Sequence, residues 1–127
     1  MAKFLTEGWA DAVLAAMNAS EDVRSATKGV QLCIQQVVTG APGGDTSYWT
    51  RFDDGSVTGA IGDATDPDVT ISQDYDTAVA MTKGELNAQA AFMQGKLKVT
   101  GNMGKLLQHQ GTMQALGPVL ASVPTEF

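Results

Sequence analysis

Apolar and polar positions along this chain switch between two periods. Trp9, Val13 and Met17 recur at i, i+4 and i+8, which is one stripe along a helix. Thr6 stands just before that stripe as an N-cap, able to accept a free amide of the first turn, and Glu7 suits the positive end of the helix dipole. Ser20 predicts a short second helix through Ser25, with Gly29 as its end. The period then becomes two. Leu32, Ile34 and Val38 fall on one face of a strand, and Gln31, Cys33 and Gln35 on the other. After a loop at 40–44, Tyr48, Thr50 and Phe52 share a face opposite Trp49 and Arg51. Asp54-Gly55 is a hairpin signal, and 57–61 reads as the next strand. A loop containing Pro67 leads to a strand carrying Val69 and Ile71, and Asp74 caps a helix that runs to Lys83 and stops at Gly84.

The densest patterning follows. Asn87 is a predicted N-cap for a helix over 88–94, and Gly95 suits its left-handed end. Lys96 to Thr100 alternate, with Leu97 and Val99 on one side, and Asn102 caps a helix that begins at Met103. That helix runs through Leu106, Leu107 and Met113. Gly117-Pro118 is expected to break it, because proline disfavours helical geometry in the residue before it, leaving 119–123 as a separate turn that can pivot. Four strands, helices, one strand and a final helix make an α+β pattern, a five-stranded sheet with helices on one face. With 127 residues, no repeat and no linker, the chain reads as a single domain over 1–127.

Residues 91–104, AFMQGKLKVTGNMG, closely resemble the signature of the sterol carrier protein 2 family of lipid-binding domains. Asp66 to Ile71 is similar to the strand before that family's middle helices, and Met81 to Asn87 to its helix end and Gly-x-x-Asn turn. Residues 40–44 followed by 48–52 are similar to its first hairpin. The ordered set covers roughly residues 30–110. The resemblance implies a mostly antiparallel five-stranded sheet with helices on one face enclosing an apolar tunnel. It implies a sterol, fatty acid, fatty acyl-CoA or phospholipid as ligand. The lining expected from it comprises Leu32, Ile34, Gln36, Tyr48, Phe52, Val69, Ile71 and Val99 from the strands, and Phe92, Met93, Met103, Leu107 and Met113 from the helices. The chain departs from the vertebrate pattern at both ends, around Trp9 and over 114–127, and Thr125-Glu126-Phe127 is not a peroxisomal address.

Composition narrows the chemistry. A net charge of −6 argues against nucleic acid as a partner, since phosphate neutralisation needs an excess of Lys and Arg. Cys33 is the only cysteine, so no intrachain disulfide can form, which suits a reducing compartment. No signal-peptide pattern and no spanning apolar run is visible, and the expected location is cytoplasmic. One His and one Cys are too few for a multi-ligand zinc site, and neither a nucleophile elbow nor a phosphate loop occurs. A non-enzymatic role without a cofactor is therefore expected. His109 sits at the edge of an apolar stripe, either as a boundary residue or as a contact for a ligand head group. Asp63, Asp66 and Asp68 lack EF-hand spacing and read as a solvated turn, and Asn18-Ala19-Ser20 reads as a chance sequon.

Lys96, Lys98 and Lys105 are either a solvated face or a point of transient contact with a membrane surface. Phe92 and Met93 are adjacent and diverge by about 100° on a helix, so one packs on the sheet while the other faces a cavity. Gln36 has two readings: a bulge turns it outward, or it offers hydrogen bonds inside the apolar layer, where it could hold a ligand hydroxyl or carboxyl. The expected function is carriage of an apolar lipid. The alternative is an interaction module of the same fold that presents apolar intermediates to a partner enzyme or binds no lipid.

Overall fold

The computed structural model describes every residue except Met1 and Asn87, and every side chain except those and Ala2, Ala88, Gln89, Gln110, Met113 and Gln114. The cap expected at Asn87 thus lies outside the described residues. Three strands, β2 (Gln31–Thr39), β3 (Thr46–Asp53) and β4 (Ser56–Ile61), form an antiparallel meander. The β3–β4 turn needs positive φ at both central residues, and Asp54 and Gly55 supply it at 44° and 89°. The chain then returns to the other side of β2. There β5 (Val69–Asp74) pairs with β2 in parallel, and β6 (Lys98–Gly101) closes the edge antiparallel to β5. The order β4-β3-β2-β5-β6 is the mixed, mostly antiparallel five-stranded sheet expected from the sequence.

Residues 62–68 cross the face of the sheet that the helices leave open, and Gln35 anchors them. Its Nε2 donates to the Gly62 carbonyl at 3.1 Å, and its Oε1 accepts from the Ala64 N–H at 2.6 Å. Cys33 and Gln35, read from the alternation as the polar face, are buried at 4% and 5% exposure because this crossover lies over them. Gly101 shows why the last strand ends on glycine. Its φ is 104°, and a Cβ there would stand 2.5 Å from the Asp68 carbonyl oxygen.

On the covered face, α1 (Glu7–Ala19) buries Trp9, Val13 and Met17, the stripe read from the sequence, with Thr6 as its N-cap. Asn18 at its end has a role that the sequon reading missed. Its Nδ2 donates to the Val57 carbonyl at 2.9 Å and its Oδ1 accepts from the Val57 N–H at 3.0 Å, so one amide stands in for a neighbouring strand at the free edge of β4. The next helix, α2 (Glu21–Thr27), is capped by Ser20, and α3 (Tyr75–Thr82) by Asp74, whose Oδ1 accepts from the Thr77 N–H at 2.8 Å. Two one-and-a-half-turn helices, α4 (Ala88–Met93) and α5 (Met103–Gln108), flank β6, and Asn102 caps the second.

The last helix corrects the sequence reading. Between α5 and α6 (Gln110–Ser122) the chain turns at His109, and α6 continues through Gly117 and Pro118. Proline removes one backbone donor, but Pro118 is exposed, while Leu116 and Val123 on either side are buried at 6% and 8%. That burial holds the helix across the missing hydrogen bond. Thr112 ties α6 to α2, donating to the Ala26 carbonyl at 2.8 Å. The tail is no loose flap: β7 (Thr125–Glu126) pairs in parallel with β1 (Ala2–Lys3), and the Phe127 ring meets that of Phe4 at 5.1 Å.

Candidate functional site

Strand register decides which expected site residues converge. Leu32 faces Phe52 and Gln36 faces Tyr48 across β2–β3. Ile34 aligns with Val69, and Gln36 with Ile71, across β2–β5, and Ile71 aligns with Val99 across β5–β6. All eight strand residues expected from the sequence therefore lie on one face. Leu32, Ile34, Phe52, Val69 and Ile71 are buried there, and Gln36, Tyr48 and Val99 are half-buried. No bulge displaces Gln36. Its Oε1 accepts from the Tyr48 hydroxyl at 3.0 Å and from Gln73 Nε2 at 3.1 Å, so the inward reading is the one the structure adopts. Burial raises the Tyr48 hydroxyl pKa well above the ordinary phenol value and keeps it a donor.

The helical half of the expected lining behaves differently. Phe92 is 46% exposed, Met93 81% and Leu107 55%. The expectation that one of Phe92 and Met93 packs on the sheet while the other faces an internal cavity is thereby corrected. On α4 it is Ala91 that is fully buried, and a helix this short has one contact face. The residues 100° and 200° further round then face solvent. On α5, Met103 and Leu106 are half-buried and Leu107 turns outward by the same geometry. The side chain of Met113 lies outside those described. Two buried residues of this neighbourhood, Gln73 and Trp9, whose ring packs edge-on against Tyr48, were absent from the expected lining. A signal for Gln73 was present, since it continues the alternation of Val69 and Ile71.

Two recesses in the surface lie away from the eight expected strand residues. One of about 420 Å³ opens between α2 and the α5–α6 junction, walled by Ala26, Val30, Gln108, His109, Gly111 and Thr112. His109, half-buried, thus sits at a helix junction rather than along a stripe. The other, about 170 Å³, lies among Phe4, Ala41, Thr46, Tyr75 and Phe127.

Asp68 is a clamp between sheet and helix. Its Oδ2 accepts from the Cys33 N–H at 2.8 Å and its Oδ1 pairs with Lys105 Nζ at 3.2 Å. Partial burial alone would raise its pKa, but the Cys33 N–H, Lys105 and Arg51 outweigh this and hold it below the usual carboxylate value. Lys96 and Lys98 are exposed, shortly after α4 in the chain. Among the described residues no helix is long and apolar enough to cross a membrane.

Comparison with known proteins follows the same lines. Sterol carrier protein 2 of Oryctolagus cuniculus is 41% identical over 76 residues, 58% of this chain and 14% of that protein. Peroxisomal multifunctional enzyme A of Dictyostelium discoideum is 39% identical over 75 residues, 57% of this chain and 17% of that protein. The match thus spans under a fifth of these relatives. A crystal structure of sterol carrier protein 2 superposes with a TM-score of 0.83 at 24% identity, covering 96% of this chain and 100% of that one, which shows the shared fold. The SCP-2 sterol transfer family matches residues 11–114, most of the length and the whole five-stranded sheet, and the chain belongs to that family.

Proposed function

We propose that this chain binds an apolar lipid between its sheet and its helices and carries it between membranes, without catalysing a reaction on it. The observation that carries this reading is the convergence of the eight strand residues on one largely apolar face, against which α1 packs Trp9, Val13 and Met17. The family supports the same class of activity. Sterols, fatty acids, fatty acyl-CoA and phospholipids all fit the class.

The driving force is burial. An alkyl chain gains about 0.8 kcal/mol per CH₂, so sixteen carbons supply roughly 12 kcal/mol before ordering costs. A bilayer offers nearly the same transfer energy, so the carrier needs a tunnel that opens rather than one that grips. The two helices on either side of β6 in the chain, α4 and α5, are suited to that. Short helices held by a few side chains open at low cost, and α4 buries Ala91 while its large side chains are exposed. Phe92, Met93 and Leu107, with Lys96 and Lys98 close in sequence, combine apolar and basic character, which fits transient docking on a membrane surface.

Lipid extraction and mass spectrometry of freshly purified protein tests this reading. A stoichiometric apolar lipid is the expected result. Protein free of lipid that also fails to take up a fluorescent fatty acid would remove it. The exposed apolar side chains and the likeness to part of a multifunctional enzyme favour a second reading, an accessory module that offers apolar intermediates to a partner enzyme. Binding of lipid by the isolated chain, with transfer between vesicles, separates the first from the second.

A further inference from the structure

Within the apolar layer lies a polar group that carriage of an alkyl tail does not require. The Tyr48 hydroxyl and Gln73 Nε2 both donate to Gln36 Oε1, which fills its two lone pairs. Gln73 is 4% exposed and Trp9 2%. Yet Gln73 Oε1 and Trp9 Nε1 have no hydrogen-bond partner among the described residues. Turning the Gln73 amide alone gives no relief, because two carbonyl oxygens would then face each other at Gln36, and turning both amides takes from the Tyr48 hydroxyl its acceptor at Gln36. The Trp9 ring packs edge-on against Tyr48 with centroids 5.4 Å apart, which joins the indole to the same group. Buried donors and acceptors are almost always paired, so an unpaired acceptor and an unpaired donor in one contact group call for a partner.

The chemistry of that partner follows from what is missing. Gln73 Oε1 needs a donor and Trp9 Nε1 needs an acceptor. One hydroxyl is both. An ether oxygen accepts only. A carboxylate also accepts only, and its charge would be buried among two amides, a phenol and an indole, none of which is a cation. Lys3 and Glu126 are exposed at the rim of the smaller recess, and Lys83, also exposed, stands over the Phe127 ring at 5.1 Å. Phe4 forms part of that recess and meets Trp9 edge-on at 4.9 Å, so it touches both the opening and the polar group. The adjoining Leu5 holds a φ of 64°, a strained value for a leucine in the segment that would have to move.

We infer that Trp9, Tyr48, Gln36 and Gln73 receive the polar end of the bound lipid, and that this end is an uncharged hydroxyl. The inference rests on the lipid carriage proposed above. The test is displacement of a fluorescent fatty probe from the full chain by three matched ligands: 1-dodecanol, its methyl ether and dodecanoate. The alcohol is expected to bind about tenfold tighter than either of the others, the scale of one well-made hydrogen-bonded contact. Gln73→Leu should shrink the gap between alcohol and ether, because only the alcohol can donate to Gln73 Oε1, whereas Trp9→Phe should weaken both alike, because either oxygen can accept from Trp9 Nε1. The unmodified protein alone decides the matter if a variant fails to fold. Equal binding of alcohol and ether would overturn the inference and mean that the group is satisfied internally, by a water. Tighter binding of dodecanoate would also overturn it, pointing to an anion site elsewhere, with carriage intact. Displacement by none of the three would remove the carriage reading as well.

Discussion

Phe52 and Phe92 are the same side chain in two regions with opposite fates: 1% exposed on β3, 46% exposed on α4. Both stand in strongly apolar sequence, and both were expected to line one interior. The difference lies in what orients each residue. On the sheet, Phe52 is held by two neighbours at once, Leu32 on β2 and Val57 on β4, and a shift of one residue would turn its whole strand over. On α4, a helix of six residues, Ala91 is the fully buried side chain among those described, while Phe92 and Met93 are exposed. A sheet multiplies its constraints through register, whereas a short helix has only its docking.

That contrast can be broken most directly at Phe52. Phe52→Ala should cost about 3–5 kcal/mol, read from a shift in denaturant midpoint with unchanged slope. A loss under about 1 kcal/mol would mean that the sheet face is not packed against the helices. The join between the layers comes next. Asn18→Ala strips both partners from the Val57 backbone at the β4 edge and should cost about 1–3 kcal/mol. Hydrogen exchange should show the loss first at β4, and unchanged protection there would show that the edge does not depend on this amide.

Asp68 sharpens the comparison on the helical side, because it ties α5 to the sheet through Lys105 and Cys33. Its carboxyl titrates below the ordinary value in the folded state. Its stabilisation is therefore present in full above the unfolded value near pH ~4, and is lost as pH falls through the folded value. Asp68→Asn should flatten that part of the acid limb of the stability profile, and an unchanged slope would show that the clamp contributes nothing. The smallest stability effects belong to the exposed flank. Phe92→Ala and Met93→Ser should each change stability by no more than about 0.5 kcal/mol. Both should slow lipid delivery to acceptor vesicles in a stopped-flow transfer assay. A loss comparable to that at Phe52 would erase the distinction between the two regions.

Much of the architecture was legible in the chain. The caps at Thr6, Ser20, Asp74 and Asn102, the Asp54-Gly55 turn and the alternation of Leu32, Ile34, Phe52, Val69 and Ile71 all stand in the structure as local patterning predicts. These signals are short-range, because a cap involves one turn of helix and an alternation involves one strand. Of the candidate site, the strand half was readable for the same reason, and Gln73 could have been added by extending one alternation.

The rest depended on partners distant in sequence. Pro118 stays helical because α6 is packed on both sides of it, which outweighs a local preference. Gln35 is buried because a crossover from β4 to β5 lies over it, and Asn18 completes a strand edge 39 residues away. The pairing of β1 with β7 joins the two ends of the chain. Which side of α4 meets the sheet, and hence that Ala91 is inside and Met93 outside, is settled by docking alone. Periodicity and caps by themselves determined the five strands of the main sheet, the first three helices and the inward face of each of those strands, since sterics and hydrogen bonding within a few residues are enough for these. Only the tertiary structure decided the rotation of the short helices, the continuity of α6 and the meeting of Trp9, Tyr48, Gln36 and Gln73. Each of these is set by contact energies between residues that the sequence alone does not bring together.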